Sequence, residues 1–176
     1  QQNPTREYLE KTVAALECGS DALAFSTGMA AETALMELFS PGDHIIASDD
    51  LYGGSHRLFR HISAKNGITV DFVNTSDAAG IEFHILPHTK AVFIETPTNP
   101  MMQVTDIAAV AEITKRRGLL LIVDNTFLTP YFQQPLKLGA DIVIHSGTKY
   151  LGGHNDTLAG FIVVSDALLS EKLRFI

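Results

Sequence analysis

At 176 residues, with 45% hydrophobic and 19% charged positions, the chain can fill one sizeable globular core. No apolar run approaches the ~20 residues that span a bilayer, and a net charge of -7 with no basic stripe excludes general nucleic-acid binding. Cys18 is the only cysteine, which excludes an internal disulfide framework and fits a reducing, cytoplasmic setting. The start, Gln1-Gln2-Asn3-Pro4-Thr5-Arg6, has no signal-peptide pattern. Helical periodicity follows over residues 6–17, with Leu9, Val13 and Leu16 on one face and Gly19 as the stop. Apolar strands are expected over 22–25, 44–47, 69–73, 91–95, 119–124, 142–145 and 161–164, and helices over 29–39, 55–66, 77–86, 107–117 and from Ala167 onward. This alternation predicts an α/β domain with a mainly parallel sheet. Leu119-Leu120-Leu121-Ile122-Val123 is apolar on both faces, as a strand in a three-layer α/β/α sandwich requires. Without repeats or a linker, the chain reads as a single domain, with its ligand crevice beyond the carboxyl ends of the strands.

Candidate site residues collect at those ends. Ser26-Thr27-Gly28-Met29 leads from a strand into a helix, whose first amides and dipole suit a phosphate; alone it is an ordinary strand-to-helix turn. Tyr52, before Gly53-Gly54, is placed either to stack on a planar ring or to enter the core. Glu95 and Asn99 of Glu95-Thr96-Pro97-Thr98-Asn99-Pro100 face the crevice, and Asn99-Pro100 is a candidate cis bond. Asp124 closes the most apolar strand, where a carboxylate needs a cation, such as a protonated pyridine nitrogen, or serves as a turn cap. Lys149 lies in His145-Ser146-Gly147-Thr148-Lys149-Tyr150-Leu151-Gly152-Gly153-His154. A lysine held against protein there favours its neutral, nucleophilic amine, which forms a Schiff base with an aldehyde. Ser146 and Thr148 add hydroxyls for a phosphate. Amine and hydroxyls together suit pyridoxal 5'-phosphate (PLP), against the plainer reading of a surface lysine in a Gly-rich loop. Other candidates are structural: Cys18 as a small buried hydrophobe, and His84 and His88 split by Pro87. No metal site is expected, and Ser146 lacks the Gly-x-Ser-x-Gly of a nucleophile elbow.

With these motifs the chain resembles the Cys/Met-metabolism family of PLP-dependent enzymes. The likeness rests on Asn3-Pro4-Thr5-Arg6, Ser26-Thr27-Gly28-Met29-Ala30, Asp50-Leu51-Tyr52-Gly53-Gly54, Glu95-Thr96-Pro97-Thr98-Asn99-Pro100, Val123-Asp124-Asn125-Thr126-Phe127 and the Ser146-to-His154 block. It implies an aspartate-aminotransferase-like (fold type I) large PLP domain over residues 1–176, truncated at both ends, with a C-terminal small domain beyond it. It further implies that Lys149 carries the Schiff base and moves protons, that Asp124 meets the pyridine nitrogen, and that Tyr52 stacks and assists catalysis. Gly28 and Met29 amides with Ser146 and Thr148 hydroxyls would hold the phosphate, and Asn99 would lie near the 3-hydroxyl. The implied activity is a C–S lyase of the cystathionine γ- or β-lyase kind, acting on a sulfur-containing amino acid in a homo-oligomer, a dimer of dimers. γ-Replacement, as in cystathionine γ-synthase or O-acetylhomoserine sulfhydrylase, is the alternative; for the isolated chain, so is a PLP-binding module without turnover. Gly147 departs from the family's more usual alanine, and Asn155 from its frequent serine.

Overall fold

The computed structural model describes residues 3–176; Gln1 and Gln2 of the N-terminal motif lie outside the described residues. Seven strands form one α/β sheet: β1 (Asp21–Phe25), β2 (His44–Ser48), β3 (Thr69–Val73), β4 (Thr89–Glu95), β5 (Leu120–Asp124), β6 (Ile142–Ser146) and β7 (Gly160–Val164), ordered β1-β7-β6-β5-β4-β2-β3. Every expected strand is present within two residues of its expected ends. The helices are α1 (Pro4–Leu16), α2 (Gly28–Met36), α3 (Gly53–Arg57), α4 (Ala78–Glu82), α5 (Ile107–Arg117), α6 (Thr129–Phe132) and α7 (Ala167–Phe175). The chain divides into two compact units.

One unit comprises the chain up to Leu38 with Asn125–Lys137 and Asp141–Ile176. In it β7 runs antiparallel to both β1 and β6. The β6-to-β7 connection carries no crossover helix, so the chain can only turn back on itself. α1 packs on β1 and β7, and α2 on β6 and β7. Their core joins Val13 and Ala14 to Ala22, Val143, Phe161 and Val163.

α1 begins where the sequence provides a cap and a preset φ: Asn3 Oδ1 accepts from the Arg6 amide (3.1 Å), and Pro4 takes the first turn. Its buried face is not the expected one. Leu9 and Leu16 are exposed, while Glu10, Val13, Ala14 and Glu17 are buried at the i, i+3, i+4, i+7 spacing. The two carboxylates can be inside because each is met: Glu10 Oε1 accepts from Arg6 Nε and the Ala24 amide, both at 2.8 Å. Cys18, expected in the core, is exposed with φ +60°. It takes the left-handed position of a Schellman ending, with Cys18 N–H to Ala15 O (3.2 Å) and Gly19 N–H to Ala14 O (2.8 Å). Gly19 is glycine for a different reason: a Cβ there would sit 2.5 Å from Val163 Cγ1.

The second unit, Phe39–Asp124 with Leu138–Ala140, holds the parallel set β3-β2-β4-β5. β2, β4 and β5 are buried along most of their length, whereas β3 buries only Val73, and α5 packs on β5. α5 matches its expected bounds, from the Asp106 cap to Gly118 at φ +67°. The helix expected over 55–66 starts earlier and changes pitch, passing from α3 into a π-helical stretch, Leu58–Ser63. The one expected over 77–86 shrinks to α4, because Leu86 and Thr89 instead close a turn ahead of β4.

Candidate active site

In the first unit the end of β1, the start of α2 and the end of β6 build an anion cradle. Thr27 caps α2: its Oγ1 accepts from the Ala30 amide (3.0 Å) and its carbonyl from the Ala31 amide (3.1 Å). Gly28 and Met29 thus occupy the first turn, where amides lack intrahelical acceptors and the helix dipole is positive. Gly28 is buried against Ser146, and a Cβ on it would lie 2.9 Å from Ser146 Cβ and 3.3 Å from its Oγ. The serine hydroxyl therefore stands at the mouth of the helix. Gly160 backs the turn so closely that a Cβ there would come within 2.0 Å of the Thr27 carbonyl oxygen. Amides, a hydroxyl and a methyl-free approach fit a phosphate.

Beyond β6 the chain folds into a turn that closes on itself: Lys149 N–H to Ser146 O (3.2 Å), Gly152 N–H to Gly147 O (2.9 Å), Gly153 N–H to Lys149 O (2.8 Å). A Cβ on Gly147 would meet the Phe161 ring at 2.5 Å, so the alanine more usual in the family would require that ring to shift. Lys149 is exposed, which corrects the expectation that the chain itself buries it: the turn's bonds are internal, and they leave this residue at its surface. It lines a depression of about 300 Å3 with Thr148, Asn155, Asp156, Thr157 and Leu158. The Thr148 hydroxyl donates to the Ala159 carbonyl (3.2 Å) and accepts from its amide (3.1 Å). Its first role in the structure is thus to pin the turn to the strand-entry loop.

The second unit gathers the carboxylates. Glu95 and Asp124 are register partners at the carboxyl ends of β4 and β5 and are both buried. Glu95 Oε2 accepts from the Tyr52 amide (2.7 Å) and Oε1 from the Asn99 amide (2.8 Å). Burial first, then the charge of Asp124 and that of Asp50, push the Glu95 carboxyl up to about 8, against the pull of those two N–H donors. Tyr52 is 46% exposed, so the core reading of this residue fails. Asp50 Oδ2 accepts from the Thr98 hydroxyl and from the Met101 amide (3.0 Å), tying down the loop that carries Asn99. Asn99-Pro100, the candidate cis bond, is cis, and Thr96-Pro97 is cis as well.

Sequence reasoning placed Glu95 at the crevice but missed what it holds. It also missed a buried network in the first unit. Glu17 Oε1 accepts from Asn125 Nδ2 (2.8 Å) and pairs with His145 Nε2 (2.5 Å); all three residues are fully buried. Asn125 exchanges two further bonds with Gln133, both 2.9 Å. Since the Asn125 amide bonds Ile144 O (3.0 Å) and the Ser146 amide bonds Thr126 Oγ1 (2.8 Å), the network braces the strand end that presents Ser146. Among the described residues no three His, Cys, Asp or Glu side chains are placed to hold a metal ion, and no helix is long and apolar enough to cross a membrane.

Comparison with known proteins agrees with this chemistry. The family described as Cys/Met metabolism PLP-dependent enzyme matches residues 1–176. The chain is 54% identical over 174 residues to the cystathionine gamma-lyase of Bacillus subtilis (strain 168), covering 99% of this chain and 46% of that protein. It is 58% identical over 171 residues to a cystathionine gamma-synthase/O-acetylhomoserine (thiol)-lyase of the same organism, covering 97% and 46%. A crystal structure of cystathionine gamma-lyase from Lactobacillus plantarum complexed with L-serine superposes with a TM-score of 0.97 at 48% identity, over 98% of this chain and 45% of that one. The chain thus spans about half the length of these relatives.

Proposed function

Because the chain belongs to the Cys/Met-metabolism PLP-dependent enzyme family, we propose that it forms the cofactor-binding part of a PLP enzyme that cleaves C–S bonds in sulfur amino acids, in the manner of cystathionine γ- or β-lyases. The observation that carries this reading is the cradle: a capped helix start without a side chain at Gly28, a serine hydroxyl against it, and a lysine three residues further along. Bound PLP supplies an aldehyde for an amine and a ring that takes up an electron pair. Gly28 and Met29 amides with Ser146 and Thr148 hydroxyls would hold its phosphate. By the family resemblance, Asp124 would hold the proton at the pyridine nitrogen, Tyr52 would stack on the ring, and Asn99 would lie near the 3-hydroxyl. Lys149 would be the amine that meets the cofactor's aldehyde and, once released by the substrate's amine, the base that would move the α-proton; γ-chemistry would require a further proton shift at the β-carbon. Tyr52, half exposed, is free to assist at the leaving sulfur.

γ-Replacement is the second reading, supported by the 58% identity to the B. subtilis synthase/thiol-lyase. As in the family at large, the complete protein would work as a homo-oligomer, a dimer of dimers, and a single cysteine suits a reducing, cytoplasmic setting.

Adding PLP to the purified chain and recording visible absorption tests the cofactor assignment. A yellow band in the wild type that is absent from Lys149→Ala is expected. A band that survives the substitution would reassign the lysine, and no band in the wild type would overturn PLP binding by this chain. Product analysis with cystathionine then separates the chemistries: cysteine with 2-oxobutyrate for γ-cleavage, homocysteine with pyruvate for β-cleavage.

A further inference from the structure

Glu95 is a buried titratable group that the proposed chemistry leaves unused. Each of its oxygens is taken by a backbone amide from a different segment, Tyr52 from the turn after β2 and Asn99 from the loop after β4. Both segments carry side chains assigned to the ring end of PLP, while neither contributes that side chain to the anchor. The Glu95 amide is itself fixed, donating to Ser48 Oγ at 3.3 Å. Its register partner is Asp124, and the other charged group facing it is Asp50.

We propose that Glu95 is a positioning residue for the ring end of the cofactor site: one carboxyl group sets the backbones of Tyr52 and Asn99 together and makes both respond to the charge on Asp124. The inference rests on the cofactor roles assigned above to Tyr52, Asn99 and Asp124. Its physical basis is that N–H donors are held more tightly by a carboxylate than by a neutral carboxyl. A positive charge brought to Asp124 favours the ionised form of Glu95, which tightens both bonds at once.

The test separates this inference from PLP binding itself. In the free protein, the amide resonances of Tyr52 and Asn99 are followed across pH by NMR. They are expected to titrate along one curve with a midpoint near 8. Asp124→Asn should move that shared midpoint down, and Glu95→Gln should abolish it. Separate curves, or a midpoint unmoved in Asp124→Asn, would overturn the inference. If Glu95→Gln does not fold, the Asp124→Asn titration decides the matter alone. With PLP added, Glu95→Gln should still give the yellow band but bind about tenfold more weakly, as expected for losing one charge-assisted hydrogen bond, with Glu95→Asp, too short to reach both amides, similarly impaired. Equal affinity in wild type and Glu95→Gln sinks the positioning role. A missing band in the wild type, with the paired titration intact, sinks the cofactor reading instead.

Discussion

Gly28 and Gly53 both open helices, yet only one has room for a methyl group. At Gly28 an added Cβ would stand 2.9 Å from Ser146 Cβ and 3.0 Å from its Cα, so a strand backbone must yield. Gly28→Ala should cost about 1–3 kcal/mol, the usual range for overpacking a filled site. It should also weaken PLP binding, since the displaced atom carries the serine hydroxyl. Nothing lies within 4 Å of the corresponding position on Gly53. Gly53→Ala should therefore stabilise by about 0.4–1 kcal/mol through the unfolded chain. Urea unfolding midpoints of the two variants decide the point; equal shifts would show that helix propensity, not the Ser146 contact, governs Gly28.

The elements themselves were largely legible because their signals are local. Continuous apolar runs mark β2, β4, β5, β6 and β7, and Asp106 and Gly118 delimit α5 to the residue. α1 shows where that reasoning fails. A hydrophobicity count selects Leu9 and Leu16, but the buried stripe is chosen by partners remote in sequence: Ala24 for Glu10, and Asn125 and His145 for Glu17. The same holds for the site. The turn bearing Lys149 and the cap at Thr27 could be read directly, whereas the anchoring role of Glu95 depends on amides 43 residues upstream and 4 residues downstream. α6 escaped notice because it is four residues long and starts from Thr129 at φ +60°, conditions no propensity favours. The buried network at the end of α1 makes a sharp prediction. Glu17→Ala strips two buried donors of their acceptor and should destabilise by about 3–5 kcal/mol, the range for breaking a buried pair from one side. Glu17→Gln, which retains an acceptor oxygen, should recover part of the loss. Glu7→Ala, which removes only an exposed pair with Lys11 one turn away, should leave the denaturation midpoint where it was.

For the molecule as a whole, two buried groups of opposite tendency shape stability against pH. His44 is buried, and burial, reinforced by the nearby His88 and His84, holds its ring below the ordinary value of 6.5 despite Asp71 at 3.4 Å. The unfolded chain then binds more protons than the fold just below pH 6.5, so His44 adds stability as the pH rises to that value and nothing more above it. Glu95 works the other way. Its carboxyl is raised from 4.5 to about 8, so the fold retains a proton that the unfolded chain has released. Its contribution is complete below pH 4.5 and disappears as the pH climbs through about 8. Just below pH 6.5 the two slopes oppose each other, while from 6.5 to about 8 only the Glu95 slope remains. The unfolding midpoint should therefore fall across that upper window in the wild type and stay level there in Glu95→Gln. His44→Gln should leave the upper window unchanged and steepen the decline below it. A wild-type midpoint that stays level between pH 6.5 and 8 would mean that Glu95 is ionised in the fold throughout, with its two amide donors outweighing both burial and the charge of Asp124.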